Sequence, residues 1–434
     1  MSARFERAIR DPAEALPREQ LRALQLDRLR STVAHVLEAQ PLGAARLAGV
    51  GVSGPEDIGS LDDLARLPFS HKDDLRDNYP FGLLAVPREL VVRVHASSGS
   101  RGKPTVVGYT RGDLDAWAEL MARCLTMAGV RRGMVVHNAN GYGLFTGGLG
   151  FHDGAERIGA TVVPASGGFT ARQAMLLSDL GAQVLVSTPS YALVIAQAVR
   201  DAGLDPADLR LELGLFGGEP WTDALRAQIE RELGLTAVGF YGLSEMCGPG
   251  VAAECALRNG LHLQEDHFLA EVVDPDSGQP LAEGEEGELV FTTLAKEALP
   301  LIRYRTGDIG AIESEPCGCG RTLARVTSLR GRRDDMLIVR GVNLFPSNVE
   351  HLLLGVEEVA PHYRLIVERD GAMDELSVEC EPASDGVDRD ALATRVEQLL
   401  REHTGIRIGV AVVEPGAVPR SEGKAVRVVD RRPE

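Results

Sequence analysis

Several short segments hold most of the residues that could do chemistry. Ser97-Ser98-Gly99-Ser100-Arg101-Gly102-Lys103-Pro104-Thr105 follows the apolar run VVRVHA. Small residues there leave backbone N–H groups free to ring an oxyanion, and the hydroxyls and Lys103 add donors. It is not a Walker A loop, which needs four residues between its glycines; only Ser100 and Arg101 separate Gly99 from Gly102. Gly217-Gly218-Glu219-Pro220 lets backbone approach something flat, or simply turns a strand into a helix with Pro near its start. Tyr241-Gly242-Leu243-Ser244-Glu245 groups an aromatic that could face a base, a hydroxyl for a phosphate and a carboxylate for Mg²⁺. Asp308, after the Gly307 turn, could accept two ribose hydroxyls. Arg332 and Asp334 lie in a charged run, followed by Arg340-Gly341, and Lys424 sits on a Gly-flanked tail. A solvated run or an ordinary turn is the plain reading of each segment taken alone.

The cysteines form a second constellation. Cys317 and Cys319 are one residue apart, and Cys255 and His262 have six residues between them. Three thiolates and one imidazole suit a tetrahedral Zn²⁺. Cys-x-Cys is not the common spacing for such a site, so a Gly-rich turn with two free thiols is the alternative. Cys124 and Cys380 lie in apolar runs and read as core.

The elements that must position these residues follow from the wider pattern. The chain has 434 residues, 44% hydrophobic and 25% charged, ordinary for a globular protein of two or three domains. Disordered, collagen-like and coiled-coil chains are excluded. Lys and Arg number 46 against 63 Asp and Glu, a net charge of −17. That field repels nucleic acid and anionic membranes, so neither is expected as a partner. The first residues have no apolar signal core, and no run of about 18 apolar residues exists; a cytoplasmic chain with reduced thiols is expected. Leu26, Leu29, Val33, Val36 and Leu37 predict a helix over 17–40. From about 90 to 330, strand-like runs ending in Gly, Ser, Thr or Pro alternate with helix-length segments such as Thr170–Leu180 and Trp221–Leu233. This predicts an α/β fold with mostly parallel sheets covered by helices, and ligands at the strand ends. The last hundred residues predict a small α+β unit, with helical spacing at Leu392, Val396, Leu399 and Leu400 and alternation at Ile406, Ile408, Val410 and Val412. Gly331–Asp335 has hinge composition, dividing the chain into 1–333 and 334–434.

In this order the segments resemble the adenylate-forming, AMP-binding superfamily, most closely its phenylacetate–coenzyme A ligase family. The resemblance runs over about residues 70 to 430 and is carried by GYGLFTGGLG (141–150), YGLSE, the block from Leu261 to Asp308, GRRDDMLIVRGVNLFP and PRSEGKAVRV. It implies a large N-terminal adenylate-forming domain and a small mobile C-terminal lid. It implies two half-reactions: a carboxylate and ATP give an acyl-adenylate and pyrophosphate, and the thiol of coenzyme A then displaces AMP. By resemblance Lys424 is the catalytic cation at the α-phosphate. Ser97–Lys103 would hold the β/γ-phosphates, with Glu245 on Mg²⁺, Asp308 on the ribose and Arg332 near ribose and phosphate. Gly217–Pro220 and Tyr241 would frame the adenine. Asp334 matches the hinge, and Arg340-Gly341 the turn facing the coenzyme A tunnel. GYGLFTGGLG would wall the acid pocket, with Phe145 against an aromatic ring and Cys247 nearby. Many relatives carry Tyr where this chain has Asn140, which points to a hydroxy- or aminobenzoate, with phenylacetate as the alternative. Relatives carrying a similar CxCGR segment imply a structural role for the cysteines, and relatives that dimerise imply a homodimer. Two other readings stay open: an aryl-acid AMP ligase that loads a carrier protein or another acceptor, and a nucleotide-binding regulatory protein with a zinc clip.

Overall fold

The computed structural model describes residues 8–97, 104–339, 342–370, 373–421 and 425–432. A hairpin of β1 (Arg93–Ala96) and β2 (Val106–Tyr109) brackets the first Gly-rich loop. Next come β3 (Val135–Asn138), β4 (Thr161–Val163), β5 (Val184–Ser187), β6 (Leu213–Gly217) and β7 (Thr236–Leu243). Helices Gly147–Ile158, Thr170–Asp179, Pro189–Asp201 and Asp223–Leu233 connect them. Their pairings are all parallel, as crossover helices require. β5 and β6 are buried at every position, because helices cover both faces.

From β7 onward the neighbours run antiparallel, a change of direction that the loop pattern does not announce. β8 (Gly248–Glu254), β9 (Leu261–Leu263), β10 (Phe268–Val273), β11 (Gly287–Thr293), β12 (Tyr304–Glu313) and β13 (Arg325–Arg332) follow one another without helices between them. The sheet order is β10-β11-β12-β13-β9-β8-β7-β6-β5-β3-β4. The two halves are thus joined through β9, a strand of three residues.

The helix predicted over 17–40 spans Arg18–Ala39 and buries Leu29, Val33 and Val36. Thr188 caps Pro189–Asp201 by accepting from the Tyr191 N–H, with Pro189 in the first turn. Gly234, at φ 66°, closes Asp223–Leu233 in the left-handed conformation.

The C-terminal α+β unit is also present. β14 (Leu337–Val339) pairs with β15 (Val342–Leu344). β16 (Val359–Asp370), β17 (Met373–Pro382), β18 (Gly409–Val412) and β19 (Val428–Asp430) form a sheet in the order β18-β17-β16-β19. Helices Pro346–Leu354 and Arg389–Thr404 belong to the same unit, whose core includes Val349, Leu365, Val378, Val396 and Leu400. Ile406 and Ile408 are buried as expected, but strand pairing begins only at Gly409. Among the described residues no helix is long and apolar enough to cross a membrane.

Candidate active site

Most of the singled-out loops converge at the ends of β1, β6, β7 and β12. Ser97 and Thr105 close the base of the first loop: the Ser97 N–H donates to the Thr105 carbonyl at 3.0 Å, and their hydroxyls bond each other. Ser98, Gly99, Ser100, Gly102 and Lys103 lie outside the described residues. Thr105 passes the contact on, donating from Oγ1 to Glu245 Oε1 at 3.1 Å. Glu245 is 6% exposed. Tyr304 also bonds it, and burial followed by the Glu245 charge pushes the Tyr304 phenol well above its ordinary range. A second charge stands close by. Lys296 lies 4.1 Å from the centre of the Tyr109 ring and donates to the Met246 carbonyl; burial pulls its ammonium below the usual range, against the opposing pull of Asp113, Cys247 and Glu245. Hard oxygen donors at Ser97, Thr105 and Glu245 are the chemistry that Mg²⁺ takes.

Tyr241 and Asp308 meet across the sheet, the phenol donating to Asp308 Oδ2 at 2.6 Å. The Asp308 N–H donates to Thr306 Oγ1 at 2.9 Å. Arg332 sits opposite Asp308 in the β12–β13 register and donates to the Thr306 carbonyl at 3.3 Å. Tyr241 is thus fixed by its hydroxyl to the carboxylate expected to hold a ribose. The glycines here have physical causes: a Cβ at Gly217 would meet the Phe240 carbonyl at 2.3 Å, and one at Gly242 the Gly248 carbonyl at 2.0 Å. Ser244 offers its carbonyl to the Tyr109 phenol at 3.3 Å.

Glu219 does something the sequence did not indicate. One carboxylate oxygen accepts from the Ser190 N–H at 2.7 Å, and the other from the Ala425 N–H at 2.8 Å. Ala425 belongs to the C-terminal unit and directly follows Lys424, which lies outside the described residues, as do Arg340 and Gly341. Arg427, two residues further on, donates to Ser190 Oγ at 3.2 Å and lies 3.7 Å from Glu350. The turn Arg333–Asp335, with Asp334 at its centre, links β13 to β14.

In the segment 138–150 the expected wall residues part company. Asn140 is buried, and among the described residues its Nδ2 has no hydrogen-bond partner. Phe145 is 53% exposed rather than enclosed. Asn138 ties the segment together, donating to the Tyr142 hydroxyl at 2.9 Å and the Gly148 carbonyl at 2.7 Å. Gly150 and Gly154 serve packing, since a Cβ would meet Trp117 at 2.6 Å or Met121 at 2.4 Å. Cys247 is buried, its thiol pushed up to about 12 by burial.

Cys255, His262, Cys317 and Cys319 come together in one buried cluster, their ligand atoms within 4.8 Å of one another. Cys255 Sγ and Cys317 Sγ are 3.9 Å apart, and Cys319 Sγ and His262 Nε2 3.6 Å. A tetrahedral site with Zn–S of about 2.3 Å and Zn–N of about 2.0–2.1 Å has edges of about 3.8 Å and 3.6 Å. The donor set and its spacing fit the metal. Cys124 and Cys380 are buried in the core, as expected.

The chain resembles known proteins along nearly its whole length. A family model described as AMP-binding enzyme matches residues 97–294, and one described as AMP-binding enzyme C-terminal domain matches 341–432. The chain is 51% identical to a phenylacetate–coenzyme A ligase of Thermus thermophilus, covering 96% of this chain and 98% of that protein. The crystal structure of 2-hydroxyisobutyryl-CoA ligase in the postadenylation state, in complex with R3-HIB-AMP, superimposes with a TM-score of 0.92 at 28% identity, covering 99% of this chain and 94% of that one. The same ligase with CoA in the thioesterification state gives only 0.72 at 30% identity, covering 97% and 91%. Identity of this order over nearly the whole length, together with both family models, means that the chain belongs to the phenylacetate–coenzyme A ligase family of adenylate-forming enzymes, and so to the AMP-forming acid–thiol ligases.

Proposed function

We propose that the chain activates an aryl carboxylic acid carrying a polar ring substituent, through its acyl-adenylate, and transfers the acyl group to coenzyme A. The supporting observation for the acid is Asn140. A buried donor without a partner costs about 1–3 kcal/mol, and Nδ2 of Asn140 is in that position. An acceptor on the ring would satisfy it. A hydroxyl oxygen accepts well and an aniline nitrogen poorly, so within the expected hydroxy- and aminobenzoates the hydroxy acids are favoured. Phenylacetate is the second reading, favoured by the 51% identity to a phenylacetate–coenzyme A ligase. ATP–pyrophosphate exchange across benzoate, phenylacetate and their hydroxy and amino derivatives decides between them. Exchange strongest with unsubstituted phenylacetate removes the Asn140 reading.

The residue roles belong to the same reading. Glu245, with Thr105 and Ser97 beside it, would hold Mg²⁺, which when bound supplies charge neutralisation at the phosphates. Asp308, oriented by Tyr241 and flanked by Arg332, would take the ribose. Gly217, Gly218 and Pro220 would border the adenine, and Ser98–Lys103 the outer phosphates. Lys424 would meet the charge that builds on the α-phosphate. What supports its placement on a lid spanning 334–434 is the hydrogen bond from the next residue, Ala425, to Glu219 of the large domain. After adenylation the lid would swing about Asp334 and bring Arg340 and Gly341 to the coenzyme A tunnel.

A structural Zn²⁺ on Cys255, His262, Cys317 and Cys319 belongs to the same reading. All six cysteines are unpaired and buried, which supports a reducing, cytoplasmic setting. Light scattering tests the expected homodimer, and a carrier-protein thiol offered in place of coenzyme A tests the alternative acceptor.

A further inference from the structure

We propose that zinc in the Cys255–His262–Cys317–Cys319 cluster is a clamp: it fastens the narrow seam of the central sheet and, through Arg321, the N-terminal segment Ala8–Glu14. The inference rests on reading the cluster as a zinc centre.

The seam is β9. It pairs with β8 at Ala252–Leu263, Ala253–His262 and Glu254–Leu261, and with β13 only at Arg325–His262 and Val326–Leu261. Tyr241 and Glu245 lie on or beside β7, on one side of this seam, and Asp308 on β12, on the other. The four ligands come from three places. Cys255 directly follows β8, His262 is the middle residue of β9, and Cys317 and Cys319 lie in the loop from β12 to β13. One ion bound by all four would cross-link both edges of the weakest pairing in the sheet. His262 turns its Nε2 toward Cys319 at 3.6 Å, and among the described residues its buried Nδ1 has no hydrogen-bond partner.

Arg321 extends the clamp. It is 2% exposed, and its three donor groups go to three places. Nη1 donates to Cys319 Sγ at 3.7 Å, Nε to Glu14 Oε2 at 2.6 Å and Nη2 to the Ala8 carbonyl at 2.6 Å. Glu14 is fully buried and accepts from the Arg10 and Asp11 N–H groups at 2.9 Å each. Three thiolates around a dication leave one net negative charge, and a buried charge needs a hydrogen-bonded counterpart. Arg321 supplies the hydrogen-bonded cation, shared between that centre and the buried Glu14 carboxylate that holds the guanidinium in place. Bound metal therefore gives the N-terminal segment a charged anchor inside the protein.

The test uses the full chain purified without chelator. Elemental analysis should find about one zinc per chain, and Cys317→Ser should lose most of it. Arg321→Gln keeps all four ligands, yet should weaken zinc binding on the order of 10- to 100-fold in competition with a chromophoric chelator. Stripping zinc from the wild type should speed amide exchange in residues 8–16 and 261–263 before the rest of the sheet, a comparison that survives if a variant fails to fold. Absence of zinc from the wild type would sink both the zinc reading and the clamp. Zinc that is present, but whose removal leaves exchange in 8–16 and 261–263 unchanged, would overturn the clamp alone.

Discussion

A carboxylate is a poor acyl donor because its oxide leaving group is strongly basic, so the site must build a better one and meet the charge that doing so creates. Individual residues divide that work. Asp308 is held by the Tyr241 phenol at 2.6 Å, and a hydrogen bond to a charged group contributes about 1.5–3 kcal/mol. Tyr241→Phe should therefore lower the unfolding free energy by about that amount in a urea melt and, by releasing the Asp308 carboxylate, raise the KM for ATP on the order of tenfold in steady-state kinetics. Much of the site was legible at this scale. Gly217–Pro220, Tyr241, Glu245, Asp308 and Arg332 lie on or just beyond strands β6, β7, β12 and β13, in short segments whose residue types announce them. Lys296 and the second role of Glu219 were not legible. Each becomes part of the site only when a distant segment arrives: Tyr109 for Lys296, and the C-terminal unit for Glu219. No local pattern encodes such a meeting.

Among the elements, the parallel half of the sheet was readable because each strand ends in a turn and leads into a helix. The antiparallel half was not, since strand-like runs look alike whichever way their neighbours run. The glycines of 141–150 were read as part of a substrate wall. In helix Gly147–Ile158 the structure gives Gly150 another cause: together with Gly154 it lets that helix close onto Arg111–Ala128. A Cβ at Gly154 would stand 2.4 Å from Met121 Cβ. Overpacking of this kind costs about 1–3 kcal/mol, and more where backbone must move. Gly154→Val should lower the unfolding free energy by at least that much in denaturant titration, and an unchanged midpoint would count against close helix packing as the reason for glycine.

For the whole molecule, the proposed function requires the C-terminal unit to rest where adenylation can occur and then to leave. The higher superposition score with the postadenylation state than with the thioesterification state agrees with a docked lid. Arg427 reaches Ser190 across the boundary. Arg427→Ala should slow adenylation about tenfold, leaving thioester formation from supplied acyl-adenylate unaffected. Proton linkage adds a second check. His362, on β16, lines a cavity with Arg420, Gln197 and Asp201. Burial, with Arg420 and Arg427 outweighing Glu381 and Glu232, moves its pKa from 6.5 to about 4. Between these values the folded chain binds fewer protons than the unfolded one. Stability from this group is complete above the ordinary value and is lost as pH falls toward the depressed one. The thermal midpoint should therefore drop less in His362→Gln than in wild type on going from about pH 7 to about pH 5.

The most direct measurement separates the two half-reactions in Lys424→Ala. ATP–pyrophosphate exchange should fall on the order of 10²–10³-fold, while conversion of supplied acyl-adenylate and coenzyme A to thioester should stay near the wild-type rate. An equal fall in both, or no fall in exchange, would contradict an ammonium delivered by the lid to the phosphorus under attack.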